Sequence, residues 1–286
     1  MKPRYRFGLI GHRILYSLSE TVFERLFSLL EIEGKFDVAD VPPDGFEVEL
    51  ESFRNTDGFA VTIPYKGRVI SYLDRLSEEA RAIGAVNSVK VEHGRLLGYN
   101  TDVEGFLFPL RRALFTGGRV LILGHGGAAR AVAWALGNEY SHADITICGR
   151  DAERVAQFAD ELIYANGIKV VSRYITYQDL NVSDGYELVV NCTPVGGGNL
   201  VGYTPVPDNF PFHRCRICYD LVYVLARTRF LTQAEKAECM VIGGLPMLVR
   251  QAVASYILWT GHELDGDAVT DRILAMVSPE TGDENR

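Results

Sequence analysis

The amino-acid sequence predicts an α/β protein built from two successive α/β units, the second of which contains a parallel sheet. Residues 119–150 carry the clearest pattern, because an apolar run, a glycine-rich turn, a helical segment and a second apolar run follow one another there. The residues before this segment have their own alternation of apolar strands and amphipathic helices. With 286 residues, of which 47% are hydrophobic and 23% charged, the chain is long enough for two ordinary domains.

The first unit is predicted to alternate strands with helices up to a β-hairpin. Its elements are, in order, a strand at 7–10, a helix at 20–30, a strand at 57–63, a helix at 66–76, a hairpin of 85–91 and 96–99, and a helix at 104–114 that leads into the second unit. We expect Gly34 to end the first helix and Pro64 to stop the second strand. His93 and Gly94 form the predicted hairpin turn.

The second unit begins with Val120 to Leu123, an unbroken apolar run typical of a parallel strand whose two faces are covered. After the glycine turn and its helix, the predicted elements are strands at 144–148, 168–172, 187–192 and 215–221 and helices at 151–165 and 229–238. This order predicts a doubly wound parallel sheet of the Rossmann type. A last long helix at 247–260 is predicted to pack back on the first unit.

These elements divide the chain into four segments. We expect a first α/β domain at 1–104, a Rossmann domain at 105–242, C-terminal helices at 243–277 that return to the first domain, and a disordered polar tail at 278–286.

Composition excludes several classes of protein. The formal net charge of −8 and the lack of a basic stripe argue against a nucleic-acid partner. No apolar run reaches transmembrane length, and the basic N-terminus has arginine and histidine where a signal peptide needs an apolar block, so we expect a cytoplasmic protein.

Five cysteines at irregular spacing fit reduced thiols. Cys215 and Cys218 allow a zinc or redox pair, but their segment is typical of a buried strand, and we expect no metal.

The glycine turn predicts a dinucleotide. Gly124, Gly126 and Gly127 would let the backbone approach a pyrophosphate at the N-terminus of the next helix, although methyltransferases and other α/β proteins also have such turns. Arg150 and Arg154 follow the second strand, where arginine suits a ribose 2′-phosphate, and they favour NADP over NAD. As an alternative, both are solvated surface charges, and the neighbouring Asp151 keeps NAD open.

Two serines precede the first helix. Ser17 and Ser19 are two apart, so their hydroxyls point the same way in an extended chain. Beside a helix N-terminus they would form a neutral cradle for a carboxylate. The alternative is that Ser19 only caps the helix.

Lys66 and Asp102 are candidates for proton transfer. Lys66 is expected at the start of a helix, where a cation opposes the helix dipole and is often functional, and Asp102 follows a strand just before another helix. If they meet, the pair could pass a proton to a forming alkoxide. The alternatives are a surface lysine and a simple helix cap. Asn87 lies between apolar neighbours and therefore needs a partner for its amide.

Taken together, these segments resemble the shikimate dehydrogenase family from about Phe7 to Gly261. The matching segments are, in order, Ser17-Leu-Ser19, VTIPYK, GAVNS, NTD, GHGGAARA, GRDAER, NCTPVG, YDLVY and GGLPMLVRQA. The resemblance implies an NADP-dependent enzyme that reduces 3-dehydroshikimate to shikimate, on the route to chorismate and the aromatic amino acids. It implies that the first domain binds this small-molecule substrate, and we expect a monomer or homodimer.

The resemblance also implies roles for individual residues. Ser17 and Ser19 would bind the substrate carboxylate, and Lys66 would be the catalytic lysine, held by Asp102. The substrate hydroxyls would be held by Thr62, Asn87, Asp102, Tyr223 and Gln251. The cofactor would be contacted by Gly124, His125, Gly126, Gly127, Ala128, Gly149, Arg150, Asp151, Arg154, Thr193, Leu221 and Gly244, with Glu78 as a further position.

The chain departs from the family pattern in the walls of both pockets. The departures are Tyr16, Glu20, Ala60, Gly149, Pro194 and Gly197. Three alternatives therefore stay open: a quinate or quinate/shikimate dehydrogenase that uses NAD or NADP, a catalytically idle relative that binds ligand as a regulator, and a folate-type dehydrogenase, which would leave the paired serines unexplained.

Overall fold

The computed structural model describes residues 4–165, 171–180, 185–224 and 227–277. Strands and helices in the first half are β1 Arg4–Gly11, α1 Ser19–Leu30, β2 Glu33–Asp40, α2 Phe46–Ser52, β3 Gly58–Val61, β4 Arg75–Leu76, α3 Glu78–Ile83, β5 Ser88–Glu92, β6 Arg95–Tyr99 and α4 Asp102–Arg112. Those in the second half are β7 Gly118–Leu123, α5 Gly127–Glu139, β8 Ala143–Gly149, α6 Ala152–Asp160, β9 Val171–Thr176, β10 Tyr186–Asn191, β11 Cys215–Asp220, α7 Arg229–Lys236, β12 Met240–Ile242, α8 Leu245–Thr260 and α9 Gly266–Val277.

The first sheet has six strands in the order β2-β1-β3-β5-β6-β4. β1 pairs in parallel with β2 and β3, whereas β5 is antiparallel to both β3 and β6. The predicted hairpin is confirmed, with Val91 opposite Leu96 and Glu92 opposite Arg95. The first domain is therefore α/β, as predicted, but its sheet is mixed.

The predicted helix over 66–76 is wrong. The chain instead makes a short 3₁₀ helix, Arg68–Tyr72, and then enters β4, which pairs with β6. Asp74 stops the helix, because its carboxylate accepts the Leu96 N–H at 2.8 Å and its own N–H donates to the Leu96 carbonyl. The apolar residues of this segment are covered by the sheet edge, where a Cβ at Gly98 would lie 2.4 Å from Leu73 Cδ1.

The end of the first helix also differs from the prediction. α1 ends at Leu30, and Glu31 takes the left-handed conformation that closes the helix. Gly34 lies inside β2, a strand that the sequence reasoning missed, and the Phe27 ring packs against its Cα. Glycine is needed there for this close approach and not for the helix end.

The second sheet is parallel throughout, with the order β12-β11-β10-β7-β8-β9. This confirms the predicted Rossmann-type unit. The helix predicted at 151–165 is α6 followed by a π-helical turn, Glu161–Ala165. Most of the strand predicted at 168–172 and the predicted tail at 278–286 lie outside the described residues. Cys215 and Cys218 are buried free thiols in β11, and the described residues contain no group of three or more potential metal ligands.

The C-terminal helices pack on the first unit, as predicted. The indole of Trp259, in α8, lies 4.9 Å from the Phe7 ring and 5.6 Å from the Phe23 ring, between centroids. It also lies against the backbone of Gly58, where a Cβ would be 2.4 Å from the indole. α8 also packs along α4 and therefore joins the two units. Among the described helices, none is long and apolar enough to span a membrane.

Candidate active site

Lys66 is positioned by the turn that follows β3. Tyr65 is buried with its ring 4.3 Å from that of Phe46, and the Tyr65 N–H donates to the Thr62 carbonyl at 2.8 Å. The Lys66 carbonyl accepts the Val86 N–H at 2.8 Å. These contacts fix the backbone on both sides of the lysine. Lys66 thus lies in a turn before a short 3₁₀ helix, and not at the start of the α-helix that we expected.

Lys66 and Asp102 form a buried ion pair. The Lys66 Nζ lies 2.5 Å from Asp102 Oδ2, and the two side chains are only 14% and 6% exposed. Asp102 is the first residue of α4, but its carboxylate faces the lysine and does not cap the helix. The alternatives of a solvated lysine and a simple helix cap are therefore wrong. A buried pair of this kind can hold a proton donor in place beside a reacting oxygen.

Asn87 links the ion pair to α8. Its Nδ2 donates to Asp102 Oδ1 at 2.9 Å and lies 3.3 Å from Gln251 Oε1. Its Oδ1 accepts the backbone N–H of Thr101 at 2.6 Å, so the predicted need for amide partners is met. Gly105 allows α8 to come this close, because a Cβ there would lie 2.9 Å from the Gln251 Cβ. The structure therefore brings four of the predicted residues into one cluster.

Two further hydroxyls support this cluster. Thr101 Oγ1 lies 2.9 Å from Ser255 Oγ, and both residues are buried. Ser255 was missed by the sequence reasoning, although a serine on the buried face of a largely apolar helix is a signal that a polar partner lies opposite.

The two serines and Tyr223 meet across the interface between the units. Ser17 Oγ donates to Ser19 Oγ at 3.0 Å and accepts the Ser19 N–H at 3.2 Å. Leu18, not Ser19, occupies the N-cap position of α1, so the capping alternative is wrong. Burial raises the pKa of Tyr223, and the Ser17 side chain partly offsets this rise. Tyr223 follows β11 but packs against the core of the first unit.

Thr62 follows β3 directly and is partly buried beside Gly11, where a Cβ would lie 2.5 Å from the Thr62 methyl group. Glu78 is exposed in the first turn of α3 and lines a cavity of about 300 Å³ at the edge formed by β4 and β6. In the described part of the chain, no side-chain hydrogen bond or ion pair joins either residue to the Lys66 cluster. The structure does not bring Glu78 together with the other candidates.

Each glycine of the turn before α5 has a different reason to lack a side chain. Gly124 has a φ of 108° and donates its N–H to the Cys148 carbonyl at 2.7 Å. Gly126 occupies the N-cap position without a side-chain cap, and a Cβ there would meet no atom within 4 Å. Gly127 faces Lys66, since its Cβ would lie 3.2 Å from the Lys66 Cβ. The open space beside Gly126 and the uncapped N–H groups fit a pyrophosphate. Ala128 lies in the first turn behind them.

Exposed arginines lie where β8 ends. Arg150 follows Gly149 and is exposed, and Arg154 is 76% exposed in the first turn of α6. Asp151 caps α6, because its Oδ1 accepts the Arg154 N–H at 3.1 Å. His125 is half-buried beside Gly149. Two exposed guanidinium groups at the end of the second strand fit a ribose 2′-phosphate.

Thr193, Leu221 and Gly244 lie at the carboxyl ends of β10 and β11. A Cβ at Gly244 would lie 2.4 Å from the Leu221 carbonyl oxygen, so only glycine lets the start of α8 approach this strand end. Thr193 is held by Asn191, whose Oδ1 accepts the Thr193 hydroxyl at 2.6 Å. Three predicted residues thus lie at the edge where a doubly wound sheet binds its ligand.

A fully buried carboxylate supports this edge and was missed by the sequence reasoning. Asp220 ends β11 and accepts hydrogen bonds from Asn191 Nδ2 at 2.8 Å, Thr228 Oγ1 at 2.6 Å and the Val222 N–H at 3.0 Å. Burial raises the pKa of Asp220 to about 6, and these three bonds limit the rise. The signal was present, because Asn191 and Asp220 are polar residues at the ends of two adjacent apolar strands.

Comparison with known proteins places these features in one family. A family model of the shikimate dehydrogenase substrate binding domain matches residues 9–89. A shikimate dehydrogenase (NADP(+)) from Caldanaerobacter subterraneus subsp. tengcongensis is 35% identical over 271 residues, which cover 93% of this chain and 95% of the relative.

Solved structures agree over nearly the whole chain. A crystal structure of a shikimate dehydrogenase in complex with NADP⁺ has a TM-score of 0.84 at 29% identity and covers 98% of both chains. The shikimate 5-dehydrogenase of Thermus thermophilus, in complex with NADP(H) and shikimate, has a TM-score of 0.79 at 32% identity and covers 94% of this chain and 100% of that one.

Proposed function

Because the chain belongs to the shikimate dehydrogenase family, we propose that it reversibly reduces 3-dehydroshikimate to shikimate with NADPH, on the route to chorismate and the aromatic amino acids. The observation that carries the proposal is the buried Lys66–Asp102 pair, which lies against the N-terminus of α5. The contact between Lys66 and Gly127 supports a proton donor beside the nucleotide-binding turn, as hydride transfer to a ketone requires.

Lys66 and Asp102 divide the proton chemistry between them. NADPH, when bound, supplies the hydride that adds to the carbonyl carbon of the substrate ring. Lys66 donates a hydrogen bond to the ketone oxygen and gives it a proton as the carbon–oxygen double bond becomes a hydroxyl. Asp102 orients the lysine through Oδ2, while Asn87 holds the second carboxylate oxygen.

The remaining substrate contacts come from both units. Ser17 and Ser19 bind the substrate carboxylate through neutral hydroxyls, supported by their mutual hydrogen bond. The ring hydroxyls are held by Thr62, Asn87, Asp102, Tyr223 and Gln251. Because Tyr223 follows β11 and Gln251 lies in α8, substrate specificity depends on elements far apart in the chain.

The carboxyl ends of the second sheet would hold the cofactor. The turn from Gly124 to Ala128 would hold the pyrophosphate. Gly149, Arg150 and Arg154 would hold the 2′-phosphate, and Thr193, Leu221 and Gly244 the nicotinamide end. The capping role of Asp151 supports NADP over NAD, because one of its oxygens is already used by α6. Glu78 is the weakest of these assignments, since it lines a separate cavity.

Domain organisation, assembly and location complete the proposal. We assign residues 1–104 to substrate binding and catalysis, 105–242 to the cofactor and 243–277 to helices that return to the first domain. One chain supplies every member of the Lys66 cluster, which supports activity as a monomer or as a homodimer of complete sites. The five cysteines are free thiols, which supports a reducing cytoplasm.

The test is a matrix of reaction rates. Purified full-length protein is assayed with shikimate and quinate, each with NADP⁺ and NAD⁺, by absorbance of the reduced nicotinamide. We expect the shikimate and NADP⁺ combination to be fastest. Faster turnover of quinate would show that the proposed substrate is wrong, and a preference for NAD⁺ would show that the proposed cofactor is wrong. No turnover in any combination would indicate a ligand-binding regulator.

Lys66→Ala tests the catalytic assignment. We expect kcat to fall by about 10³-fold, because a general acid contributes factors of about 10² to 10⁴, with a much smaller change in the Kd of NADPH. Lys90→Ala is the matched control, since Lys90 lies in β5 and pairs with Glu92 at 3.4 Å. Unchanged kcat in Lys66→Ala would refute the role of this lysine.

A further inference from the structure

The side chain of His125 fills a gap left by Gly149. His125 is the second residue of the glycine turn, and a Cβ at Gly149 would lie 2.9 Å from His125 Nδ1 and 3.5 Å from its Cε1. The ring meets Phe158 of α6 edge-on, with centroids 6.3 Å apart. The imidazole is therefore held between the turn and the end of β8, where the adenosine end of a dinucleotide lies in this fold.

One ring nitrogen of His125 lacks a partner among the residues that the structure describes. Nδ1 is buried and makes no hydrogen bond to them. A buried polar atom without a partner lowers the stability of the folded state, and such atoms persist where a ligand or a catalytic task uses them. Because Nδ1 is buried against Gly149, a bound group would meet the ring at its other nitrogen, Nε2, which is not among the buried atoms without a partner.

Burial and the neighbouring arginines favour the neutral form of the His125 ring in the free protein. Burial lowers the pKa of His125, Arg154 and Arg150 lower it further, and Asp151 partly opposes them. A phosphate group between the two arginines would reverse this balance, because its negative charge favours the imidazolium ion.

We propose that His125 recognises the 2′-phosphate of the nucleotide by taking up a proton when that phosphate binds, so that the imidazolium joins Arg150 and Arg154 in a site of three cations. This inference rests on the proposed NADP-dependent function and assigns His125 a specificity role beyond that of the turn backbone. A nucleotide without the 2′-phosphate gives the ring no reason to be protonated.

The proposed proton uptake fixes the direction in which nucleotide affinity changes with pH. A ligand that raises the pKa of a group is bound more tightly at pH values where the group becomes protonated. The affinity for 2′-phosphorylated nucleotides should therefore rise as pH falls through the pKa of His125 in the complex, and should level off below its lowered pKa in the free protein. The 2′-phosphate itself gains a proton near pH 6, which acts in the opposite direction, so the His125 effect is read as a difference between protein variants.

Isothermal titration calorimetry with adenosine 2′,5′-bisphosphate and 5′-ADP tests the proposal. Each probe is titrated into full-length wild type, His125→Gln and His125→Ala between pH 6 and pH 8.5, in pairs of buffers that differ in ionisation enthalpy, which reports proton uptake. His142→Gln is the control variant, since His142 is exposed in the turn before β8. Circular dichroism checks that each variant is folded, and 5′-ADP, which lacks the 2′-phosphate, reports any change in binding that does not depend on that group.

For adenosine 2′,5′-bisphosphate at pH 6, we expect both His125 variants to bind about tenfold more weakly than wild type and to take up fewer protons, because a charge-assisted hydrogen bond is lost. At pH 8.5 the difference should shrink to less than about twofold. Equal proton uptake and equal pH dependence in wild type and His125→Gln would overturn the proposed role of His125 but not the proposed function. Failure of wild type to bind either probe would overturn the nucleotide site, and with it the proposed function.

Discussion

At the scale of single residues, the structure separates groups that face the ligands from groups that hold them. Lys66, Asp102 and Asn87 could be predicted from the sequence, because each is a polar residue next to a strand end or among apolar neighbours. Asp220 and Ser255 could not be recognised as readily, since their importance depends on partners contributed by other strands and helices. A single sequence shows a polar residue but not the hydrogen bonds that justify its burial.

Asp220→Asn should change how stability depends on pH. The pKa of Asp220 is raised to about 6 in the folded protein from an ordinary 3.8, so the folded state favours the protonated acid, and the stability from this preference is lost as pH rises through about 6. Asparagine keeps an oxygen for Asn191 and Val222 and never ionises. The free energy of unfolding of Asp220→Asn minus that of wild type should therefore rise by about 2 kcal/mol between pH 4.5 and pH 8.

Urea denaturation across this pH range, followed by circular dichroism, measures the difference between the two proteins. Asp208→Asn is the control, because Asp208 is exposed and pairs only with Arg229 among the described residues. A difference between Asp220→Asn and wild type that does not vary with pH would contradict the prediction.

At the scale of elements, sequence patterns predicted the parallel strands well and the segment 66–76 poorly. Val120 to Leu123 needed only its own apolar character to be identified, since a strand covered on both faces has that composition. The segment 66–76 has apolar residues at helical spacing, yet Asp74 pairs with Leu96 and draws the chain into the sheet. That outcome is decided by a strand more than twenty residues away, which no local pattern contains.

The glycine turn before α5 should respond differently at two adjacent positions. In Gly127→Ala, the new methyl group must displace the side chain of Lys66 by a few tenths of an ångström, so we expect kcat to fall about tenfold with little change in the Kd of NADP⁺. In Gly126→Ala, the methyl group meets no protein atom but occupies the space proposed for the pyrophosphate. We therefore expect the Kd of NADP⁺ to rise about tenfold.

Steady-state kinetics together with NADP⁺ titration separates the two variants, and each serves as the control for the other. Equal effects on kcat and on Kd in both variants would show that the turn responds as a whole, contrary to the separate contacts seen for Gly126 and Gly127.

At the scale of the whole molecule, α8 joins the two units, and the Trp259 indole anchors it on the first. The indole covers Gly58 and stacks near Phe7 and Phe23, and its Nε1 is buried without a hydrogen-bond partner among the described residues. The sequence predicted that this helix returns to the first domain, but it could not show which side chain fills the contact. That detail depends on the shape of a surface built from residues far earlier in the chain.

Trp259→Ala should lower the free energy of unfolding by about 3 to 5 kcal/mol, the cost of truncating a large buried aromatic side chain. Trp259→Phe should lower it much less, because the lost N–H makes no hydrogen bond to the described residues. Urea denaturation followed by the fluorescence of Trp134, the other tryptophan, provides the measurement. Equal losses in the two variants would show that the site does not tolerate a smaller ring.

The return of α8 to the first sheet also has a consequence for synthesis of the protein. The first sheet is complete once β6 has been made, but the helix that covers one of its faces and contributes Gln251 begins only at Leu245. At translation rates of about 5 to 20 residues per second, this face of the sheet stays uncovered for roughly ten to thirty seconds until α8 has been made. During that interval α8 does not yet pack on Phe7 and Phe23. The first domain of the nascent chain therefore exposes apolar surface during this interval, and the active site is completed only after α8 has been made.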